Sequence, residues 1–512
     1  MTDPTPAGTA PRRRFRALWL APVLALIALL AWAFASPIGA GPDDDYHLVS
    51  TWCAAGNETA CQPGATATTR VISTSLRDIA CYAQHEERSA ACQGEIFDAA
   101  PSWETDRGNF AGEYPPVYYG VMQFLAIDDI QVGALLMRAL TAVLFVALAT
   151  ALAVLLAPGR RRTLLWGWLV TLVPLGVFII PSNNPSGWAV MGVGTAFLAL
   201  LGWFESAGRR RWALGALYLL GIVIAAGSRG DAGVYAVGAS VTAALLTSEW
   251  TRDWRLRAVL PIIGIAIAVV FFVSAGQSGV AATGFTSGGG GASLTVGADG
   301  EAEAVPLAGF GLAAYNLLML PFLWTGVWGT WGLGWLDTRL PSIVPWAATA
   351  AFIVVGFAGL GRLAWRKAIA VSGVLLVLIA LPLYVLTAGG DKVGENLQPR
   401  YLLPLLVLFA MVLLSEVPRR APLAFTRIQT FTILGALAIA NLVALQVNLR
   451  RYVTGADVQG PNLDAGAEWW WPGLPFGPNA VWLVGVLAFA GLLAVLWPEL
   501  RRPALRSPET LR

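Results

Sequence analysis

Charge is the scarcest commodity in this sequence. Of 512 residues, 13% are Asp, Glu, Lys or Arg, against 56% hydrophobic. A soluble protein of this length would aggregate with so little charge to cover it, so a polytopic membrane protein embedded in a lipid bilayer is expected. The net charge is only +3, and no nucleic-acid partner is expected. Histidine occurs twice and cysteine four times. There is no Walker-type loop for a nucleotide, no Gly-x-Ser-x-Gly elbow and no His-Glu-x-x-His pair. Apart from Arg138, the interiors of the expected spans carry no charge, whereas proton-coupled transporters place ionisable groups near mid-membrane. No energy-coupling machinery is visible.

What charge there is falls in an orderly way. The tail 1–16 ends in Arg12, Arg13, Arg14 and Arg16 and is expected to be cytoplasmic. The apolar run 17–35 is long enough to cross about 30 Å of hydrocarbon as a helix. Ala33-Phe34-Ala35 resembles a signal cleavage site, but the run exceeds the usual signal core, so a retained first span is the expectation. A second span covers 130–157. Further spans are placed near 163–180, 187–204, 212–227, 232–248, 258–275, 343–361, 368–387, 401–416, 428–449 and 478–497. This puts the basic clusters at Arg160–Arg162, Arg209–Arg211, Arg252/Arg255/Arg257, Arg362/Arg366/Lys367, Arg419/Arg420/Arg427 and the tail from Arg501 on one side. That bias supports about twelve spans, with both termini cytoplasmic.

The chain therefore divides into a cytoplasmic tail (1–16), a first transmembrane helix (17–35), a large external loop (36–129), spans two to seven (130–275), an external segment (276–341), spans eight to twelve (342–497) and a second cytoplasmic tail (498–512). In the loop, Cys53, Cys61, Cys81 and Cys92 are all the cysteines of the chain; their even number in one segment predicts two disulfides in an oxidising compartment, with pairing left open. A zinc site using His47 and His85 is the competing reading, weakened by the lack of any Cys-x-x-Cys pair. The apolar stretch after Glu113-Tyr114-Pro115-Pro116-Val117-Tyr118-Tyr119 is too short to span and predicts an interfacial helix with its tyrosines at headgroup level. In 276–341, a Gly-rich mobile loop precedes a re-entrant or interfacial segment crowded with Trp324, Trp328, Trp331 and Trp335.

Gly41-Pro42-Asp43-Asp44-Asp45-Tyr46-His47, just beyond the first span, is the candidate chemical centre. Three adjacent carboxylates beside a bilayer must stay hydrated or find partners; the plainer alternative is a solvated acidic turn capping a helix. The external side also collects Ser182-Asn183-Asn184-Pro185-Ser186, Ser228-Arg229-Gly230-Asp231, Asp337 to Arg339, Asp391-Lys392, Gln398-Pro399-Arg400-Tyr401 and Arg450-Arg451. Arginines opposite an acidic cluster suit a phosphate-bearing ligand, since the guanidinium binds phosphate oxygens in bidentate fashion. The plainer alternative is that each cation anchors a span end near the headgroups.

These pieces together resemble a bacterial family of predicted multi-span membrane proteins with a Pro-Asp-Glu-x-x-His signature, carried here by Pro42-Asp43-Asp44-x-x-His47. Tyr-Pro-Pro-x-Tyr-Tyr at Tyr114–Tyr119, Asn184-Pro185-Ser186, Arg229-Gly230-Asp231, Trp328-Gly329-x-Trp331-Gly332-x-Gly334-Trp335 and Gln398-Pro399-Arg400-Tyr401-Leu402-Leu403-Pro404 match in order. Asp44 stands where Glu is usual, and Pro399 where Gly commonly precedes Arg-Tyr. The family is similar to the GT-C membrane glycosyltransferases. The resemblance implies an all-α, GT-C-like bundle in the bacterial cytoplasmic membrane. It also implies sugar transfer, with inversion, from a polyprenyl-phosphate donor to a cell-envelope glycan or glycolipid acceptor on the external face. A non-catalytic carrier or flippase for lipid-linked sugar is the alternative. Displacement at an anomeric carbon needs a base for the acceptor hydroxyl and cations for the departing phosphate. Asp43 is assigned as base, with Asp44 orienting it or joining it to hold a divalent cation, Mg²⁺ or Mn²⁺. Asp45 and His47 bind sugar hydroxyls or hold the turn. Arg229 and Arg400 face the donor phosphate, Arg138 and Lys392 are further candidates, and Gln398 and Tyr401 flank the pocket.

Overall fold

In a computed structural model, residues 18–501 are described, apart from 57–59, 98–101, 250, 278–291, 297–301, 307, 362, 417–422 and 472. The Arg12–Arg16 tail and most of the Gly-rich stretch lie outside the described residues. The chain is mostly helical. In order, the main helices are α1 (Ala21–Phe34), α2 (Asp44–Ala54), α3 (Ile130–Leu155), α4 (Pro158–Leu172), α5 (Ser186–Glu205), α6 (Gly208–Ala226), α7 (Gly230–Thr247), α8 (Val259–Ser274), α9 (Gly309–Thr325), α10 (Ile343–Leu360), α11 (Trp365–Gly389), α12 (Pro399–Leu414), α13 (Arg427–Val453) and α14 (Pro478–Arg501).

Among the described residues, eight helical stretches are long and apolar enough to cross a membrane: α3, α5, Arg252–Ser274 ending in α8, Gly309–Trp328 beginning with α9, α10, α11, α13 and α14. α1 and α12 are apolar but shorter. The stretch expected as one span over 163–180 is divided into α4 and the short helix Leu175–Ile179. Pro174 sits at the break, where a residue without an N–H interrupts the ladder.

The apolar side chains explain how the bundle sits. Val270, Leu318, Phe357, Leu376 and Leu487 are largely exposed on the outer helices, as lipid-facing surfaces must be. α5 is the opposite case, buried from Ser186 to Phe204. It packs most extensively on α6. A Cβ at Gly192 of α5 would lie 2.5 Å from the Ala225 nitrogen, and one at Gly221 of α6 would lie 2.8 Å from the Ala196 nitrogen. Small residues thus let the two backbones touch where lipid offers no hydrophobic drive to press helices together.

Polar contacts gather at two poles. At one, Arg160 pairs with Glu205 at 2.6 Å and Arg162 with Glu416 at 2.6 Å, while Arg257 and Lys367 donate to the carbonyls of Phe204 and Gly359 at 2.7 and 3.0 Å. These four members of the basic clusters share one end; Arg362, Arg419 and Arg420 lie outside the described residues. The disulfide-bearing loop covers the other. Cys53 bonds to Cys61 and Cys81 to Cys92, so consecutive cysteines pair and the zinc reading is overturned.

The all-α expectation is corrected within this loop. β1 (Cys61–Pro63), β2 (Arg70–Ser73) and β3 (Ser102–Thr105) form an antiparallel sheet in the order β1-β2-β3, with Ile72 opposite both Cys61 and Trp103. Val71, Ile72 and Trp103 are strand formers, and a loop outside the bilayer must still pair its backbone groups. A two-stranded ribbon, β4 (Ala292–Val296) with β5 (Ala302–Pro306), lies in the segment expected as a mobile loop.

The stretch Gly309–Trp328 is long enough to cross, yet the chain beyond it comes back to the disulfide-bearing pole. Asn316 in α9 donates to the Asp391 carbonyl at 2.9 Å in the α11–α12 connection. After α9, the Trp335 indole donates to the Gly39 carbonyl at 2.9 Å, and Asp337 accepts from the Gln84 N–H at 3.0 Å. Arg451, at the end of α13, closes on Asp337 at 2.8 Å.

The turn between α1 and α2 is held by Arg138 of α3. Its guanidinium donates to the carbonyls of Ala33, Ser36 and Pro37 at 3.0, 2.7 and 2.8 Å and to Asn183 at 2.7 Å, and lies 3.8 Å from the enclosed Asp44. Replacing Arg138 by Met strips all of these and leaves Asp44 without its cation; a loss of about 3 kcal/mol or more is expected for removing one partner of a buried pair. Thermal unfolding in detergent checks this, and an unchanged midpoint contradicts it.

Candidate functional site

The acidic motif opens α2. Asp43 is its N-cap, in the left-handed region with φ 59°, a conformation tolerated by Asp better than by most residues but still a mark of a constrained site. Asp44 and Asp45 form the first helical turn, where carboxylates meet the positive end of the helix. The motif is thus a helix cap, but not a solvated one. Asp44 is fully buried and its carboxylate accepts the Gly41 N–H at 3.0 Å. Gly41 must be glycine: a Cβ there would lie 2.4 Å from that carboxylate.

Distant segments then converge on Asp43. The Pro42 carbonyl accepts from Asn184 at 2.6 Å and from Arg400, at the start of α12, at 2.7 Å. Arg400 also pairs with the Asp43 carboxylate and donates to the Tyr401 hydroxyl at 3.0 Å. On the outer side, Arg107, just after β3, reaches the other Asp43 oxygen at 3.2 Å and Asp45 at 2.8 Å. Arg229, at the start of α7, is held by Asp231 at 2.9 Å through two nitrogens and by Ser186 at 3.3 Å. Both Arg229 and Arg400 lie over the Tyr401 ring, at 4.6 and 4.9 Å from its centre, an arrangement that offsets some of their mutual repulsion.

The three carboxylates have different environments. Burial works to raise the Asp43 carboxyl, but Arg400, with Arg107 beside it, outweighs it and holds it at about 2. Burial dominates at Asp44 and pushes it up to about 6, against Arg138 and the Gly41 N–H and with help from Asp45. Burial also drives His47 well below the usual imidazole range, against the pull of Asp43, so the ring is neutral at pH 7. Its Nδ1 lies 2.8 Å from the Tyr119 hydroxyl and its edge meets Tyr46 and Tyr114. His47 packs the floor of the site.

The sequence-predicted residues separate accordingly. Asp43, Asp45, Arg229, Arg400 and Tyr401 come together. Gln398 is next to them as the N-cap of α12; its Oε1 and the Arg400 Nε are both buried without a hydrogen-bond partner among the described residues. Arg138 does not face this space, since its donors are engaged by the α1–α2 turn. Lys392 lies in the α11–α12 connection over the Tyr315 ring. The tyrosines expected at headgroup level are instead internal: Tyr118 and Tyr119 are buried, Tyr118 against Trp188 and Tyr119 against His47, while Phe124 takes the outward position.

The carboxylates do not fit the expected Mg²⁺ or Mn²⁺. Asp43 and Asp45 are engaged by arginines and Asp44 is enclosed, and among the described residues no three of His, Cys, Asp and Glu converge as a metal set. Sequence reasoning missed Arg107. Its signal was being a lone basic residue in an acidic stretch, Glu104 to Glu113.

The Asp44 environment sets a pH dependence. A carboxyl with a folded value near 6 against an unfolded value near 3.8 keeps its proton longer in the folded state, so stability falls as pH rises from about 4 to 6 and is level above. Asp44→Asn is expected to flatten the unfolding midpoint over that window; an unaltered slope contradicts the assignment.

No curated protein and no solved structure matches the chain. Residues 26–409, well over half of its length, match the family model described as "Predicted membrane protein (DUF2142)", and the protein belongs to that family.

Proposed function

We propose that this protein is a membrane glycosyltransferase of GT-C type. It transfers a sugar, with inversion, from a polyprenyl-phosphate donor to a cell-envelope glycan or glycolipid acceptor. In this reading about twelve spans cross a bacterial cytoplasmic membrane, the basic pole and both termini are cytoplasmic, and the disulfide-bearing pole faces outward, in keeping with the positive-inside rule and an oxidising exterior. The observation that carries the proposal is the meeting of a carboxylate, Asp43, with Arg400 at a site where the Arg400 Nε and the Gln398 Oε1 lack partners among the described residues. Buried polar atoms without partners are costly, and a ligand with phosphate and hydroxyl groups supplies both needs.

The chemistry follows from competition for Arg400. A base near 2 is too weak to take a hydroxyl proton readily. A donor phosphate drawn to Arg400 and Arg229 competes with Asp43 for the guanidinium and so strengthens the base as it binds. The acceptor oxygen then bonds to the anomeric carbon as the bond from that carbon to the phosphate oxygen breaks. The hydroxyl proton passes to Asp43, and the bonding pair leaves on the phosphate, where the arginines stabilise it. Tyr401 keeps the two cations adjacent. No metal ion enters this scheme.

The carrier reading draws on one specific observation, the engagement of both Asp43 oxygens by arginine, which suits a binding site as well as a latent base. The two separate in a transfer assay on purified protein offered a panel of polyprenyl-phosphate sugars and envelope acceptors. The transferase reading expects donor-dependent product, lowered by about 10²-fold or more in Asp43→Asn and strongly lowered in Arg400→Ala, with both variants folded. Product from no donor, with polyprenyl phosphate still bound, overturns it in favour of the carrier.

A further inference from the structure

At the basic pole, far along the bundle from Asp43, a cavity of about 400 Å³ opens between α1, α3, α4 and α14. Its walls include Ala25, Leu29, Ala149, Leu165 and Phe489. It extends from Leu18 to Trp32 along the first helix, about 21 Å of helical rise. Asn441, the polar group toward the far end, accepts the Trp32 indole N–H at 3.1 Å. Water would find few partners on such walls, whereas in a bilayer hydrocarbon chains are the surrounding solvent.

The charges of this cavity are confined to its mouth. Arg161 and Glu499 both line it. Of three consecutive arginines, Arg160 and Arg162 are paired with Glu205 and Glu416. The Arg161 side chain between them has no ion pair or hydrogen bond among the described residues, and its Nε is buried without a partner. Glu499 makes no ion pair among the described residues either. A cation and a carboxylate at one mouth, each without an ion pair among the described residues, match a head group that carries both signs.

We propose that this cavity binds one phospholipid with a primary-ammonium head, its phosphate on Arg161, its ammonium at Glu499 and one acyl chain along the furrow toward Trp32. A purely anionic head would leave Glu499 facing negative charge. A quaternary head would offer Glu499 no N–H. The site is separate from the carboxylate–arginine site and does not depend on the transferase reading.

Native mass spectrometry of the full-length protein in detergent, titrated in turn with phosphatidylethanolamine, phosphatidylglycerol and phosphatidylcholine of the same acyl chains, tests this. One tightly held phosphatidylethanolamine is expected, about tenfold tighter than the other two. Arg161→Gln should weaken it by about tenfold, Glu499→Gln should abolish the preference over phosphatidylglycerol, and Ala149→Trp should fill the furrow and remove the bound lipid. Should Ala149→Trp fail to fold, the two variants at the mouth still decide. Equal affinity for the three lipids in the wild type, or phosphatidylethanolamine binding unmoved by Arg161→Gln, overturns the proposal.

Discussion

Arg400 joins residues 357 positions apart when it closes on Asp43, and the disulfide-bearing pole is built around that contact. The same guanidinium holds the Pro42 carbonyl, which Asn184 holds from the other side. Asp43 can therefore occupy a left-handed N-cap because its neighbours on α12 and the α5 entry leave it little else to do. Behind it, Arg138 knots the carbonyls of the α1–α2 turn and faces Asp44. One arginine fixes the backbone and the other engages the carboxylate. The division of labour accounts for two adjacent aspartates with opposite acid–base character, the outer one held at about 2 and the inner one pushed to about 6.

This arrangement sets two cations close together. Arg400 and Arg229 are like charges gathered over one tyrosine ring, with Asp43 and Asp231 as their counter-ions. An anion entering between them would gain two cations, and the carboxylate it displaces would gain basicity. Arg107 adds a further restraint from the loop side, where it bridges Asp43 and Asp45. The disulfides and the small sheet matter because they anchor the chain that carries Arg107 above α2.

Much of the fold was legible in the sequence because bilayer physics leaves few choices. Apolar runs become helices, and Arg160, Arg162, Arg257 and Lys367 of the basic clusters share one pole. The motifs around Asn184, Arg229 and Arg400 meet at Asp43 as their common location beyond the spans suggested. What was not legible depends on tertiary contact. Hydropathy does not reveal that Pro174 divides a span, that Tyr118 and Tyr119 turn inward to Trp188 and His47, or that Arg138 serves the backbone. The strands of the first loop were hidden by their brevity, and the role of Arg107 by its separation of 64 and 62 positions from Asp43 and Asp45.

The central claim is that Asp43 and a phosphate compete for Arg400. The most direct test is the affinity of purified protein for a short-chain polyprenyl phosphate, measured by calorimetry for the wild type and Asp43→Asn. Removing the competing carboxylate should tighten phosphate binding by about tenfold, equivalent to roughly 1.4 kcal/mol, even as any turnover is lost. Binding that weakens or stays the same in Asp43→Asn would contradict the account.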